Sequence, residues 1–480
     1  MIGSGFVLAK PILISFIKRK MKNFGIEAES SNISLLGKMS LKKLRITMNN
    51  GNLITIGTLQ CHIPFLWNRG QITLYNVLIK KDTISLTIPK IEFKQINQPT
   101  ITQIYSLYNT HNLLLKVRAS DIHLPEVKVT SNQTPNEIII HNITIDQINH
   151  ETIRNIRGLS LDSRISSSQK TYQIHSETFS LNEVEYTSKS IQIKEVKVNH
   201  LNIKTENLDV LINLLKSNNL LIEPETGFLS KILKPLSYTH SSKIQDFFKS
   251  TAIQSAEVKG FTAQNKNLQM IFSSLKINLC KWNLLIPHDF FVNVKDIKIS
   301  THEQPNFFNY QNSPFSLSGH IAWIPHKNLL FHHILFSEKK SGMISFQGTI
   351  LNFEKAFFNG NFSHFQKIAI STLKIRLIDT GLIQHFLDWE QTKINISKNE
   401  LHQILYEIAI QTPYLLLKKE KNTESIAYAF GAFIRGDSHI LHMILKSKTN
   451  KGISLSDLSL AQQNPSSLLK KIIISVITEK

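Results

Sequence analysis

A chain of 480 residues with 55 Lys+Arg against 35 Asp+Glu carries a formal net charge of +20. Its 41% hydrophobic and 19% charged residues lie in the ordinary globular range, which excludes a chain dominated by disorder. Only two cysteines occur, Cys61 and Cys280, which excludes a disulfide-dense scaffold and any four-cysteine zinc site.

Each cysteine reads as a small buried strand residue, and a single bridge between them stays open. The positive charge suits an anionic partner, either nucleic acid or a phospholipid surface. The lysines are dispersed, however, with no long basic run, so a solvated basic surface accounts for them equally.

MIGSGFVLAKPILISFIKRKMKNFG opens the chain with an apolar run from Ile2 to Ile17, followed by Lys18, Arg19, Lys20 and Lys22. About sixteen apolar residues fall short of the roughly 20 that span a bilayer core. The charges follow the run instead of preceding it, unlike a cleaved signal peptide. Pro11 can start a helix that places Leu13, Ile17, Met21 and Phe24 on one stripe, with Gly25 as its stop. Three readings stay open for residues 1–25: a membrane anchor, an interfacial amphipathic helix with its cations at lipid headgroups, and a helix plugging the end of a β-structure.

From residue 26 the period is two. In QITLYNVLIKKDTISLTIPKI, residues 71–91, two strands flank a charged turn; Ile84, Leu86 and Ile88 are expected on one face and Thr83, Ser85 and Thr87 on the other, toward water. Ile138 and Ile140 precede Ile143 and Ile145 across His141-Asn142, and Ile191 and Ile193 lead to Val196 and Val198. Later come Leu275, Ile277 and Leu279, then Val292, Val294, Ile297 and Ile299, then Leu373, Ile375 and Leu377, and a final apolar strand near Ile472 to Ile477. Strands with one apolar and one polar face indicate antiparallel sheets, and the missing βα alternation argues against a doubly wound enzyme fold.

Helices punctuate these strands. Leu208, Leu211, Ile212 and Leu215 suggest a helix after Thr205, and a second helical stretch is expected over Phe228 to Phe248. A short helix is expected from Gly381 to Trp389 with Asp379 as its cap, and Ser397 to Glu400 has capping-box spacing before Leu401, Ile404, Leu405 and Ile408. The expected divisions are residues 1–25, an antiparallel β region over 26–204, a helical insertion over 205–250, a second β region over 251–378, and a C-terminal α/β region over 379–480. The fold class is mainly β with helical elements: a long curved antiparallel sheet or groove with an N-terminal helix and a C-terminal α/β cap.

Catalytic motifs are missing: no phosphate-binding glycine loop, no G-x-S-x-G elbow, no H-E-x-x-H helix and no dinucleotide fingerprint. His332 and His333, as neighbours in a strand, are expected on opposite faces and so unable to share a metal. Asp388 and Glu390 read as solvated residues at a helix end. KAFFNGNFSHF, within the Phe-rich stretch Phe346 to Phe365, has aromatics with almost no cations and reads as core, not as a base-stacking platform. No enzyme activity, cofactor, metal or nucleic acid is expected.

The first hundred residues resemble the AsmA-like family of bacterial envelope proteins. The pattern is a membrane segment and short helix, a Leu-x-x-Leu-x-Ile strand at Leu41 to Ile46, and an Ile-Gly-Thr-Leu step at Ile56 to Leu59. A Pro-Phe-Leu-Trp-x-x-Gly corner follows at Pro64 to Gly70, then Ile-x-Leu-x-Asn-Val-x-Ile at Ile72 to Ile79. TLKIRLIDTGLIQHFLDWEQ and the stretch from AFIRGD to the final IIISV are similar to the C-terminal part of AsmA-like proteins of alphaproteobacteria. The resemblance implies an inner-membrane anchor, a body in the periplasm, and an apolar-lined groove that handles phospholipids, with other envelope proteins as further partners. Ile72, Leu74, Ile84, Leu86, Ile88, Leu275, Ile277 and Leu279 are then the expected groove lining, and Lys18, Arg19, Lys20 and Lys22 the headgroup contacts. The rival expectation is a non-enzymatic envelope scaffold in which the same apolar residues form a closed core and strand edges recruit a protein partner; a cytoplasmic nucleic-acid-binding protein is the weaker alternative.

Overall fold

A computed structural model describes residues 14–15, 19, 21–22, 26–34, 38–47, 53–62, 69–81, 83–97, 119–131, 135–149, 152–166, 171–186, 190–222, 251–283, 286–301, 314–324, 328–338, 340–352, 368–391, 393–394, 396–417, 422–454, 456–458, 460 and 465–479. The chain separates into two compact units, dividing between residues 243 and 254.

The first unit is an antiparallel sheet. Its strands are β1 (Ile26–Ile33), β2 (Lys38–Thr47), β3 (Leu53–His62), β4 (Arg69–Lys81), β5 (Ile84–Asn97), β6 (Ala119–Ser131) and β7 (Glu137–Asn149). There follow β8 (Thr152–Gly158), β9 (Ser160–Ser166), β10 (Thr171–Ser176), β11 (Thr178–Tyr186), β12 (Ile191–Lys204) and β13 (Asp209–Ile222). Consecutive strands pair from β1 to β7. The next two ladders are each interrupted once: β7 pairs with β8 and β9, these pair with β11 and β10, and both of those pair with β12, which pairs with β13.

The second unit carries β14 (Thr251–Gln264), β15 (Leu268–Asn283), β16 (Ile286–Thr301), β17 (Phe315–Ile324), β18 (Asn328–Glu338), β19 (Gly342–Leu351) and β20 (Ala369–Asp379). Then come α1 (Leu382–Gln391), α2 (Lys398–Leu417), α3 (Thr423–Arg435), β21 (Ile440–Ser447), β22 (Ile453–Ser454), α4 (Pro465–Leu469) and β23 (Ile472–Glu479). From β14 to β20 each strand pairs with the next, β20 pairs with β21 and β22, and β23 pairs with β21. The mainly β, antiparallel class expected from the period-two pattern is therefore what the chain adopts.

The helix starts follow the sequence signals. Asp379 accepts hydrogen bonds from the N–H groups of Gly381 (2.8 Å) and Leu382 (2.5 Å) at the head of α1. At α2 the Glu400 N–H donates to Ser397 Oγ (3.2 Å) while the Glu400 carboxylate accepts from the Ser397 N–H (3.2 Å) and hydroxyl (2.8 Å). This reciprocal box lowers the Glu400 carboxyl below its ordinary range, chiefly through the Ser397 hydroxyl. α3 ends at Gly436, whose φ of 85° is the left-handed conformation that a glycine accepts without strain.

Three expectations are corrected. Residues 209–222 form a strand, β13, not the start of a helical insertion; only Thr205–Leu208 turn, with the Leu208 N–H bonded to Thr205 Oγ1 at 3.0 Å. Leu208 and Leu211 are both 41% exposed, so the supposed helical stripe is not one buried face. Ser85 is buried at 8% although it lies on the polar side, where its short side chain falls in a row between the longer Lys80 and Thr130. The regular alternation expected at His332 and His333 is broken by a register shift between His320 and Ile321, where His333 pairs with His320 and His332 is the extra residue, and the His332 and His320 rings stack at 4.5 Å. Phe228 to Phe248 and most of the Phe346 to Phe365 stretch lie outside the described residues.

Candidate functional site

In the second unit the registers line apolar side chains into rows that cross the whole sheet. Cross-strand partners in an antiparallel pair share a face. One row therefore runs Val258, Leu275, Val294, Leu317, Phe336, Ile344, Leu377 and Leu441. The next runs Ala256, Ile277, Val292, Gly319, Ile334, Phe346, Ile375, Met443 and Val476. A third joins Leu279 to Phe290, Ile321, Phe331, Gly348, Leu373, Leu445 and Ile474. Gly348 leaves room under the Phe331 ring, which stands 2.7 Å from where a Cβ would be.

The two ends of these rows differ. At β20, β21 and β23, the helix residues Ile383, Leu387, Ile426, Ala429 and Phe433 pack on Leu377, Leu441, Met443, Ile474 and Val476. Leu387 and Leu441 are then 1% and 2% exposed. Over β14 to β19 no described helix packs on the same rows; Leu275, Ile277 and Leu279 are partly exposed and belong to no core cluster of the described residues. An apolar face thus crosses six strands with no described helix packed on it, Trp323 within it being buried at 4%, and ends against the cap of α1–α3. The cap has apolar surface of its own: Ile404, Ile408 and Leu415 on one stripe of α2 are 42%, 55% and 73% exposed.

In the first unit the corresponding face is organised by a line along which strand pairing lapses. Ser30 pairs with Lys42 and Ala28 with Leu44, yet Glu29 and Lys43 between them are unpaired in register. The same lapse places Lys43 opposite Gly57, Gly57 opposite Asn76, and Asn76 opposite Pro89. It continues through Pro125 and Asn142, Glu177 and His200, and His200 and Asn213. Lys43, Asn76, Asn142 and His200 have φ near 50°, in the left-handed region. Proline, which removes a ladder donor, is tolerated at Pro89 and Pro125 because no ladder pair forms there.

Each left-handed residue resets the side-chain alternation. Leu41 and Leu44, three apart, are both 4% exposed and would lie on opposite faces of a regular strand; Lys43 between them puts both on the apolar side. The buried residues of the main cluster, among them Leu44, Ile56, Val77, Ile88 and Ile143, all flank this crease, while Lys43, Asn76 and Asn142 are exposed. Apolar side chains thus gather on one side of the line and polar ones on the other. On the outer side Lys43 reaches Glu29 at 2.7 Å. A parallel line carries Asp121, Asn155, Glu183 and Asn219, where Asn155 donates to Asp146 (2.7 Å) and Lys194 to Glu183 (2.9 Å). The Lys194 hydrogen bond holds the Glu183 carboxyl below its usual range. β14 and β16 repeat the device at Gly260 and Asp296, the latter bonded by Ser273 at 2.6 Å.

The expected lining residues therefore divide. Ile88 is core, at 6% exposed, with Leu74 and Leu86 packed against its cluster; Ile72 packs on a second cluster around Ala119 and Ile122; Ile84 is partly exposed and joins neither. Leu275, Ile277 and Leu279 lie together, partly exposed, on the apolar face of β14 to β19. Cys61 is a free, buried thiol on β3, pushed up to about 11 by burial, and the side chain of Cys280 lies outside the described residues. Of the N-terminal cations, Lys18 and Lys20 lie outside the described residues, while Arg19 and Lys22 are exposed on helical backbone and Met21 beside them packs on the main cluster.

The acidic and histidine candidates have ordinary partners. Asp388 pairs with Lys398, and Lys393 lies 3.6 Å from Glu390 and 3.1 Å over the Trp389 ring. His320 stacks between Phe291 (4.0 Å) and His332, with Asp289 at 3.5 Å. Among the described residues no group of three or more His, Cys, Asp or Glu side chains has a metal-holding arrangement, and no helix is long and apolar enough to cross a membrane. Sequence reasoning missed the crease, although its signal was in view as apolar residues spaced by three around an Asn, Asp, Lys or His. Compared with family models, curated proteins and solved structures, the chain matches none of them.

Proposed function

We propose that this is a non-enzymatic lipid-handling protein of the cell envelope, similar in kind to the AsmA-like proteins its sequence resembles, acting in lipid transport or envelope maintenance. The observation that carries this reading is the apolar face over β14 to β19. Its rows are the same rows that α1–α3 cover at β20 to β23, and over six strands no described helix packs on them. Acyl chains fit such a face. Burial contributes about 0.8 kcal/mol per methylene, so a chain of roughly a dozen carbons gains on the order of 10 kcal/mol before losses. A surface lysine beside a phosphate adds at most about 1 kcal/mol, so the trough would set affinity and the cations orientation.

In this reading residues 1–25 hold the protein at the inner membrane, with Lys18, Arg19, Lys20 and Lys22 at the headgroups and the bulk in the periplasm. The rival, a scaffold with a closed core, draws support from the first unit, where Val77 and Ile88 are buried at 3% and 6%. Lipid extraction and mass spectrometry on the full chain purified from membranes separates the two. Stoichiometric phospholipid is the expected result; a folded, lipid-free protein that takes up no added phospholipid rejects it in favour of the scaffold.

A further inference from the structure

We propose that the crease of the first unit is a hinge, about which the two halves of each strand swing to widen or narrow the apolar face. The inference rests on the lipid reading for its purpose, and on the registers alone for its geometry. Bending a sheet about a line that crosses its strands means changing φ and ψ at one residue of every strand. In an ordinary strand the ladder bonds on both sides hold those angles. Along the crease the flanking pairs form on either side, and the residues on the line do not pair.

Three further features free the line. Lys43, Asn76 and Asn142 hold an isolated left-handed conformation. Their side chains are exposed, so the adjustments of φ and ψ at these residues move no buried side chain of their own. The cross-strand contact there, Lys43 to Glu29, joins side chains 74% and 61% exposed, which hold little. The tightly packed residues sit immediately beside the line, Leu44, Ile56 and Val77 among them, and so move least when the arms swing. Cohesion concentrated at a pivot, with arms free beyond it, is the arrangement of a hinge. A trough of adjustable gape can take chains of differing thickness while keeping its floor intact.

The test is a spin-label distance measurement on the full chain carrying Gln71→Cys and Lys80→Cys, in a background with Cys61→Ala and Cys280→Ala. Gln71 and Lys80 are exposed on β4 on either side of Asn76. Nine residues of straight strand span about 30 Å at 3.3 Å each. The hinge predicts a broad distribution centred below that length. Asn76→Gly should broaden it further, and Asn76→Val, which disfavours the left-handed well, should move it toward the straight-strand distance. Coinciding narrow distributions for the parent and Asn76→Gly overturn the hinge, and this comparison stands even if Asn76→Val fails to fold. Added detergent-solubilised phosphatidylcholine supplies the separate readout: a broad distribution that does not respond to it supports the hinge and counts against lipid as the occupant.

Discussion

Truncating Leu275 and truncating Leu387 remove the same atoms from two ends of one apolar surface, and their costs should differ. Leucine to alanine deletes three carbon groups, worth about 2.4 kcal/mol at roughly 0.8 kcal/mol each. Leu387, 1% exposed between α1 and the sheet, also leaves a cavity, so Leu387→Ala is expected to cost about 3–5 kcal/mol. Leu275 is already partly solvated, and nothing described lies above it to enclose a void, so Leu275→Ala should cost about 1–2 kcal/mol. Urea unfolding of the full chain checks this, followed by the fluorescence of Trp389 in α1 and Trp323 in β17. Repeating it with phosphatidylcholine present should raise the parent's midpoint more than that of Leu275→Ala. Equal costs for the two truncations would mean that the β14 to β19 face is enclosed like the cap, and the open-trough argument would fail.

Other outcomes follow from single contacts. Asn422 Nδ2 donates to Ile474 O at 2.5 Å on β23, whose only registered partner among the described residues is β21; Asn422→Ala should lose about 1 kcal/mol and raise self-association, seen by gel filtration, because the freed carbonyl edge becomes a pairing template. Ser397→Ala removes the α2 cap and should cost about 1 kcal/mol in urea unfolding. Because Glu400 is held below its unfolded value, its contribution is present above the ordinary carboxylate range and is lost as pH falls through the lowered pKa. Glu400→Gln should therefore flatten the acid limb of a stability-against-pH curve. In a Cys280→Ser background, Cys61 should resist a thiol reagent at pH 8 and react at once in urea, since burial raises its pKa to about 11; rapid labelling of the folded protein would count against the enclosed position on β3.

The same residue choice that builds the crease explains where sequence reading succeeded and where it failed. An isolated left-handed residue makes apolar positions skip from two apart to three apart, as at Ile138, Ile140, Ile143 and Ile145 around Asn142. Where strands on both sides were long, the period of two still dominated and the strand assignment held. In β13 the skip falls between Ile212 and Leu215, where Asn213 lies opposite the left-handed His200 of β12, so Leu208, Leu211, Ile212 and Leu215 read at helical spacing. What distinguishes the two cases is tertiary: Asp209 to Ile222 finds twelve registered partners on β12, and a helix there would leave that edge bare. The capping signals of α1 and α2 were legible because their chemistry closes within three residues.

The site was legible as a face and not as a depth. Alternation correctly grouped Leu275, Ile277 and Leu279, because parity in a strand is local. Whether a face is covered depends on elements far along the chain: α1–α3 settle on Leu377 and Leu441, which occupy the same row as Leu275, yet nothing in the local pattern of either strand separates the covered segment from the bare one. The histidines failed for the opposite reason. A one-residue shift between β17 and β18 leaves His332 as an extra residue beside the His320–His333 pair, and such a shift is fixed by how two strands meet and not by either sequence alone. What separates the two ends of these rows is the cap: α1–α3 pack on β20, β21 and β23, and no described helix packs on the rows over β14 to β19.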